Sequence, residues 1–165
     1  MDIKEEIKKT RQHIKLGDIN SVKKIMENKD LIEVETPFGT WLEVSADLNQ
    51  IELVRFFLDC GIDVNKSCGI SEGGPIKSAS FEGNLDIVKL LLDSGAKLDV
   101  STAERNPLFA AIYNDHFDVV KFLVEKGIDI KASYPIGDID NCDAYEYARQ
   151  YCRTEIANYL KERMK

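Results

Sequence analysis

The chain has 165 residues, 44% of them hydrophobic and 31% charged, which suffices for one folded, soluble domain with a sizeable core. Its formal net charge is −7 and its pI about 4.9. That acidity argues against binding a nucleic-acid backbone, which requires clustered Lys and Arg, and suits steering toward a basic protein partner.

The first predicted element is a helix over Ile3 to Leu16, with Ile3, Ile7 and Ile14 on a loose apolar face and Gly17 ending it. The charged start Met1 to Lys9 has no apolar core of the kind a secretory leader needs. Nor does any apolar run approach membrane-spanning length, so a cytoplasmic location is expected. Asp18 is placed to cap a second helix carrying Ile19, Val22, Ile25 and Met26. A connector from Asp30 to Gly39, containing Pro37, leads to a helix over Trp41 to Leu48 and its partner over Ile51 to Cys60, closed by Gly61. A Gly-rich loop spans Lys66 to Gly74. Two further helix pairs follow within Gly74 to Lys131, then a long loop from Ile128 to Asn141 with Pro135 and Gly137. The chain finishes with helices over Asp143 to Tyr151 and Thr154 to Arg163.

Gly74 to Gly95 and Asn106 to Gly127 say nearly the same thing twice. Pro75 maps to Pro107, Ala79 to Ala111, Val88 to Val120 and Gly95 to Gly127, each 32 positions apart. A fixed period of 20–50 residues marks a stacked-repeat architecture. The register extends to five units through Val22, Val54, Val88, Val120 and Ala157, with steps of 32, 34, 32 and 37. Length variation therefore falls in the connectors, as expected where helices pack and connectors lie at one edge. The units run about 1–30, 39–65, 73–99, 105–131 and 141–165. Helices this short are marginal alone, being below about 12–15 residues, so each must bury a face against a neighbour. Ile87, Val88, Leu91 and Leu92 share one side of a helix, with Lys89 and Asp93 opposite. Ser45, Ala79, Ala111 and Ala148 are small enough for close helix approach. Gly61, Gly95 and Gly127 are assigned a structural role, the left-handed residue that stops a helix.

These residues resemble the ankyrin repeat. Its Thr-Pro-Leu-His-x-Ala signature is approximated at Thr40 to Ser45, Gly74 to Ala79 and Asn106 to Ala111. Gly83 to Leu92, through Gly95-Ala96, is closer to the pattern, and Asp143 to Arg149 resembles the start of a final repeat. The resemblance implies an all-α ankyrin-repeat solenoid of about five helix–turn–helix units with degenerate terminal caps. The signature's Thr and His are replaced in the two central copies, and with them the hydrogen bonds that stiffen that turn in the family. Connector lengths are irregular, and the last is expected to project furthest.

Family members usually dock partners on the concave side, so the resemblance directs attention to the ends of the inner helices: Asp47, Leu48, Phe81, Glu82, Tyr113, Asn114 and Tyr151. Connector tips add Glu72, Glu104 and Tyr134. Trp41 opens an inner helix; burial in the seam is the favoured reading, since Trp is highly buried on average, and it is also counted with this face. Aromatic anchors ringed by carboxylates have the composition of an interface hot spot, while Phe81 and Tyr113 as plain covers of the seams is the alternative. Small acidic stand-alone ankyrin proteins resemble bacterial binders, including immunity proteins that neutralise toxins. The expected function is therefore a monomeric, dedicated inhibitor of a basic protein such as a toxin or effector. A general scaffold or host-directed module is the second reading, and a minimal enzyme using His116 or Cys152 the third. No cofactor, catalytic residue, nucleic-acid or membrane partner is expected. Cys60, Cys68, Cys142 and Cys152 form no Cys-x-x-Cys pair, and neither Cys60 nor Cys152 has metal-ligand spacing. His116 stands where the resemblance implies a structural turn residue.

Overall fold

The computed structural model describes residues 3–69 and 72–164. Of the positions named above, Met1 and Asp2, Ile70 and Ser71 in the Gly-rich loop, and Lys165 lie outside the described residues. The described residues hold ten α-helices: α1 Ile3–Lys15, α2 Ile19–Ile25, α3 Trp41–Asp47, α4 Ile51–Asp59, α5 Gly74–Phe81, α6 Leu85–Asp93, α7 Pro107–Tyr113, α8 Phe117–Glu125, α9 Ala144–Gln150 and α10 Thr154–Arg163. The odd-numbered helices form an inner row in which α1 touches α3, α3 touches α5, α5 touches α7 and α7 touches α9. Behind it, α4, α6, α8 and α10 pack in sequence. The molecule is thus an all-α solenoid of stacked helix pairs.

The five-unit register is visible in the backbone itself. Gly17, Asn49, Gly83, Asp115 and Cys152 all adopt positive φ, between 54° and 74°, at the turn from inner to outer helix. After each, the next amide donates back to the inner helix: Asp18 to His13, Gln50 to Ser45, Asn84 to Ala79, His116 to Ala111 and Arg153 to Ala148, at 2.8–3.0 Å. This is the Schellman closure, which satisfies a carbonyl the helix end leaves orphaned. The outer helices α4, α6 and α8 end the same way, with Gly61, Gly95 and Gly127 at φ 83°, 92° and 83°. Val22, Val54, Val88 and Val120 are fully buried and Ala157 nearly so. Ser45, Ala79, Ala111 and Ala148 are also shut off from solvent, so small side chains line the contacts within the inner row.

Polar side chains stitch one unit to the next. Asn84 Nδ2 donates to the Ala46 carbonyl at 3.0 Å. Asn114 Nδ2 donates to the Phe81 carbonyl at 2.6 Å, with His116 Nε2 3.0 Å from the same oxygen. Arg153 donates to the Tyr113 carbonyl. His116 is therefore a seam residue, and Asn114 points its amide into the seam. The signature turn is supported unevenly. Thr40 Oγ1 accepts from the Glu43 amide, Asn106 Oδ1 from Leu108 and Asp143 Oδ1 from Glu146, whereas Gly73 caps α5 with no side chain.

The last connector, expected as a long loop, carries regular structure. It folds into an antiparallel hairpin, β1 Tyr134–Ile136 and β2 Ile139–Cys142, pairing Tyr134 with Cys142 and Ile136 with Ile139. Gly137, at φ 58°, starts the two-residue turn. Tyr134 anchors the hairpin: its hydroxyl donates to the Val100 carbonyl at 2.6 Å and accepts from Asn106 Nδ2 at 3.1 Å. A smaller turn of the same kind closes at Thr36 and Gly39, placing Pro37 and Phe38 at its exposed tip.

Candidate protein-binding groove

The connector tips stand in front of the inner helices, and between them runs a groove of about 530 Å³. Its wall is Phe81, Phe109, Tyr113 and Tyr147, and Glu72 and Glu104 stand at its rim. Repetition at a fixed period produces this: Phe81 and Tyr113 are equivalent positions at the ends of α5 and α7, and their rings stack at 5.9 Å. Tyr113 meets Tyr151 edge-on at 4.9 Å, Tyr151 meets Tyr147 at 4.8 Å, and Tyr147 stacks on Phe109 at 4.4 Å. Stacked and edge-on pairs at these distances are attractive beyond their burial, so the rings hold one another in place. Tyr113 and Tyr151 nevertheless keep 41% and 37% of their surface exposed. Burial, with Tyr151 beside it, pushes the Tyr147 phenol well above the usual tyrosine range, so it stays a neutral donor.

Four of the residues singled out from sequence therefore line one groove: Glu72, Phe81, Glu104 and Tyr113. Tyr151 extends the aromatic row beyond it. Asp47 and Glu82 are exposed beside each other, and burial raises both carboxyls; each also feels charge, Arg11 and Lys77 opposing the rise at Asp47 and Asp47 adding to it at Glu82. One assignment is corrected, and two further side chains are partly engaged within the fold. Trp41 is 1% exposed and its Nε1 donates to the Leu31 carbonyl at 2.7 Å, so it belongs to the interior. Leu48 packs half-buried against the core. Tyr134 has its hydroxyl spent on Val100 and Asn106 and its ring edge on Phe109 at 5.2 Å, making it a strut of the hairpin.

Phe109, Tyr147 and Lys77 escaped the sequence reading. Phe109 sits at the signature's His position, where a spacing argument sees only a lost histidine. Tyr147 lies a turn before the helix end, one turn from where exposed residues were sought. Lys77 sets its ammonium 5.6 Å from the Phe81 ring centroid, so the groove is not bounded by carboxylates alone. At the rim, Glu72 reaches Arg105 at 3.8 Å, and Arg105 in turn holds Asp99 at 3.2 Å. Glu43 also lies at the His position. It is 1% exposed, Oε1 is 3.5 Å from the Ser78 hydroxyl, and Oε2 has no hydrogen-bond partner. Burial pushes its carboxyl up to about 7, against the pull of Lys77.

Among the described residues no three His, Cys, Asp or Glu side chains converge as a metal site. The four cysteines are free thiols, and burial raises the pKa of Cys60, Cys68 and Cys142. Raised thiols are poor nucleophiles. No described helix is long and apolar enough to cross a membrane.

Comparison with known proteins accords with this geometry. The family model described as ankyrin repeats (3 copies) matches residues 42–134 and 76–165. The chain belongs to the ankyrin repeat family. Among similar curated proteins is the inactive serine/threonine-protein kinase TEX14 of Bos taurus, 32% identical over 88 residues, which is 53% of this chain and 6% of that protein. Two fowlpox virus (strain NVSL) chains named as ankyrin repeat proteins also match. FPV018 is 29% identical over 87 residues, covering 53% of this chain and 12% of its own length. FPV014 is 34% identical over 73 residues, covering 44% and 15%. The matched segments are thus a small part of each relative. Ankyrin repeats are protein–protein interaction modules.

Proposed function

We propose that the five helix pairs act as one domain and that this domain is a dedicated inhibitor of the immunity type, monomeric and cytoplasmic, gripping one protein partner along the groove. The observation that carries this reading is the row Phe81, Tyr113 and Tyr151, which presents half-exposed rings from three successive units. Large rigid rings lose little conformational entropy on binding and dominate interface energetics. The net charge of −7 favours a basic partner, such as a toxin, through long-range steering. On this reading the chain performs no chemistry: His116 is committed to the seam, and the groove supplies anchors rather than an activated nucleophile.

A Phe81→Ala/Tyr113→Ala variant tests it. Both side chains are partly exposed, so the fold should survive, as circular dichroism and an unchanged cooperative melt would confirm. Partner capture from the native cell, strong with the unaltered chain, should fall at least tenfold with the variant. Full capture by the folded variant removes the groove from the binding surface. One observation favours the scaffold reading instead: the similar segments of the curated relatives sit inside much longer proteins. Under that reading, capture would recover several unrelated proteins rather than one in 1:1 ratio.

A further inference from the structure

The groove changes character at its N-terminal end. α1 is the inner helix of the first unit, equivalent to α3, α5, α7 and α9. The turn tip Pro37-Phe38 stands before it as Glu72 and Glu104 stand before the later units. Between them lies a second groove of about 480 Å³ lined by Ile7, Lys8, Arg11, Lys15, Pro37 and Phe38. Lys8, Arg11 and Lys15 recur at spacings of three and four, which puts them in one stripe along the helix. Glu5 and Glu6, the helix's acidic residues, fall on other faces. Phe38 is 45% exposed.

Some cations of the chain are held in ion pairs and these three are not. Lys66 holds Glu33 and Glu35, Arg105 holds Glu72 and Asp99, and Arg149 holds Glu146. Lys8, Arg11 and Lys15 make no ion pair among the described residues. Arg11 lies 4.1 Å over the Phe38 ring centroid, and its Nε is shut off from solvent without an acceptor. The carboxylate whose charge it influences, Asp47, is not within ion-pair reach. A guanidinium held over an aromatic ring with a donor unspent is pre-organised for a carboxylate, and lysines on the same stripe extend the site along the helix.

We infer that the α1–Phe38 groove is an anion-selective subsite that takes an acidic, amphipathic segment of the protein partner, carboxylates along Lys8, Arg11 and Lys15 and an apolar side chain against Ile7 and Phe38. The inference rests on the concave-face reading above and adds polarity to it: long-range charge attracts a basic partner, and this reversed patch sets its direction along the groove. A protein segment fits better than a polyanion. The stripe from Lys8 to Lys15 is only about 10 Å long at 1.5 Å per residue. A nucleic acid or an anionic bilayer would extend past it over the chain's acidic remainder and be repelled.

The probe is a synthetic twelve-residue peptide alternating Glu or Asp with Phe or Leu. Its controls are the same peptide with Gln and Asn for the acids, phosphatidylserine vesicles, and a single-stranded oligonucleotide. Binding is measured by fluorescence anisotropy and located by amide chemical shifts. The acidic peptide should bind, shift residues of α1 and Phe38, and weaken at least tenfold with Lys8→Gln/Lys15→Gln, whose side chains are exposed and whose loss should spare the fold. The Gln/Asn peptide should bind at least tenfold more weakly. Equal binding of the two peptides, shifts confined to Phe81 and Tyr113, no peptide binding, or preference for vesicles or oligonucleotide would each overturn the inference. The concave-face reading is judged separately by Phe81→Ala/Tyr113→Ala and the native partner. That variant can fail while the acidic peptide still maps to α1, and the reverse.

Discussion

Glu43 shows how one buried group can make stability depend on pH. Its folded-state pKa of about 7 stands above the 4.5 of the free side chain, chiefly because burial disfavours the charge. The folded state therefore holds the proton more tightly. Glu43's contribution is fully present below about pH 4.5 and is lost as pH rises to about 7. At about 1.4 kcal/mol per unit, the loss is roughly 3 kcal/mol. Glu43→Gln should remove this slope: urea midpoints of variant and parent should be close at pH 5, with the variant clearly more stable at pH 8. The glycines give a second residue-scale test. At Gly95 a Cβ would meet nothing within 4 Å, so Gly95→Ala should cost only the left-handed backbone, about 1 kcal/mol. At Gly83 a Cβ would lie 2.4 Å from the His116 ring, so Gly83→Ala should cost roughly twice that or more by chemical denaturation, because the seam must also open.

At the scale of the element, the hairpin of β1 and β2 is the clearest departure from the sequence reading. Its signal was present: Tyr-Pro-Ile and Ile-Asp-Asn-Cys flank the two residues Gly137-Asp138, a pattern with a turn preference. Within a helical repeat, strands of three and four residues are too short to declare themselves, and Pro135 argues against a strand unless it lies at an edge. What holds the hairpin is Tyr134, through bonds to Val100 and Asn106 that cross 34 and 28 positions of sequence. Tyr134→Phe should leave two polar groups short of a partner and cost about 1–2 kcal/mol. Amide exchange should quicken first in residues 134–142, while the Val88 and Val120 amides keep their protection until global unfolding.

For the molecule as a whole, charge and shape act at different ranges. A net charge of −7 influences approach over about a Debye length, some 8 Å at physiological salt, while on the proposed function the aromatic groove acts on contact. With a basic partner, raising salt from 50 to 300 mM should slow association at least tenfold and change dissociation little. A salt-insensitive on-rate would remove steering from the account.

Sequence alone determined the fold, because a period of about 32 residues repeats every local requirement in register: the αL turns, the small inner residues and the buried valines. It also delivered Phe81, Tyr113, Glu72 and Glu104, since equivalent positions in a stack must share a face. The interior place of Trp41 was favoured from sequence; only the tertiary structure decided that Tyr134 is a strut and that Phe109 and Tyr147 complete the groove. It alone showed Lys8, Arg11 and Lys15 beside Phe38 at the opposite end. The physical reason is that a repeat fixes where each side chain starts, whereas its exposure and partners are set by neighbours one unit away, and the degenerate positions differ in those neighbours.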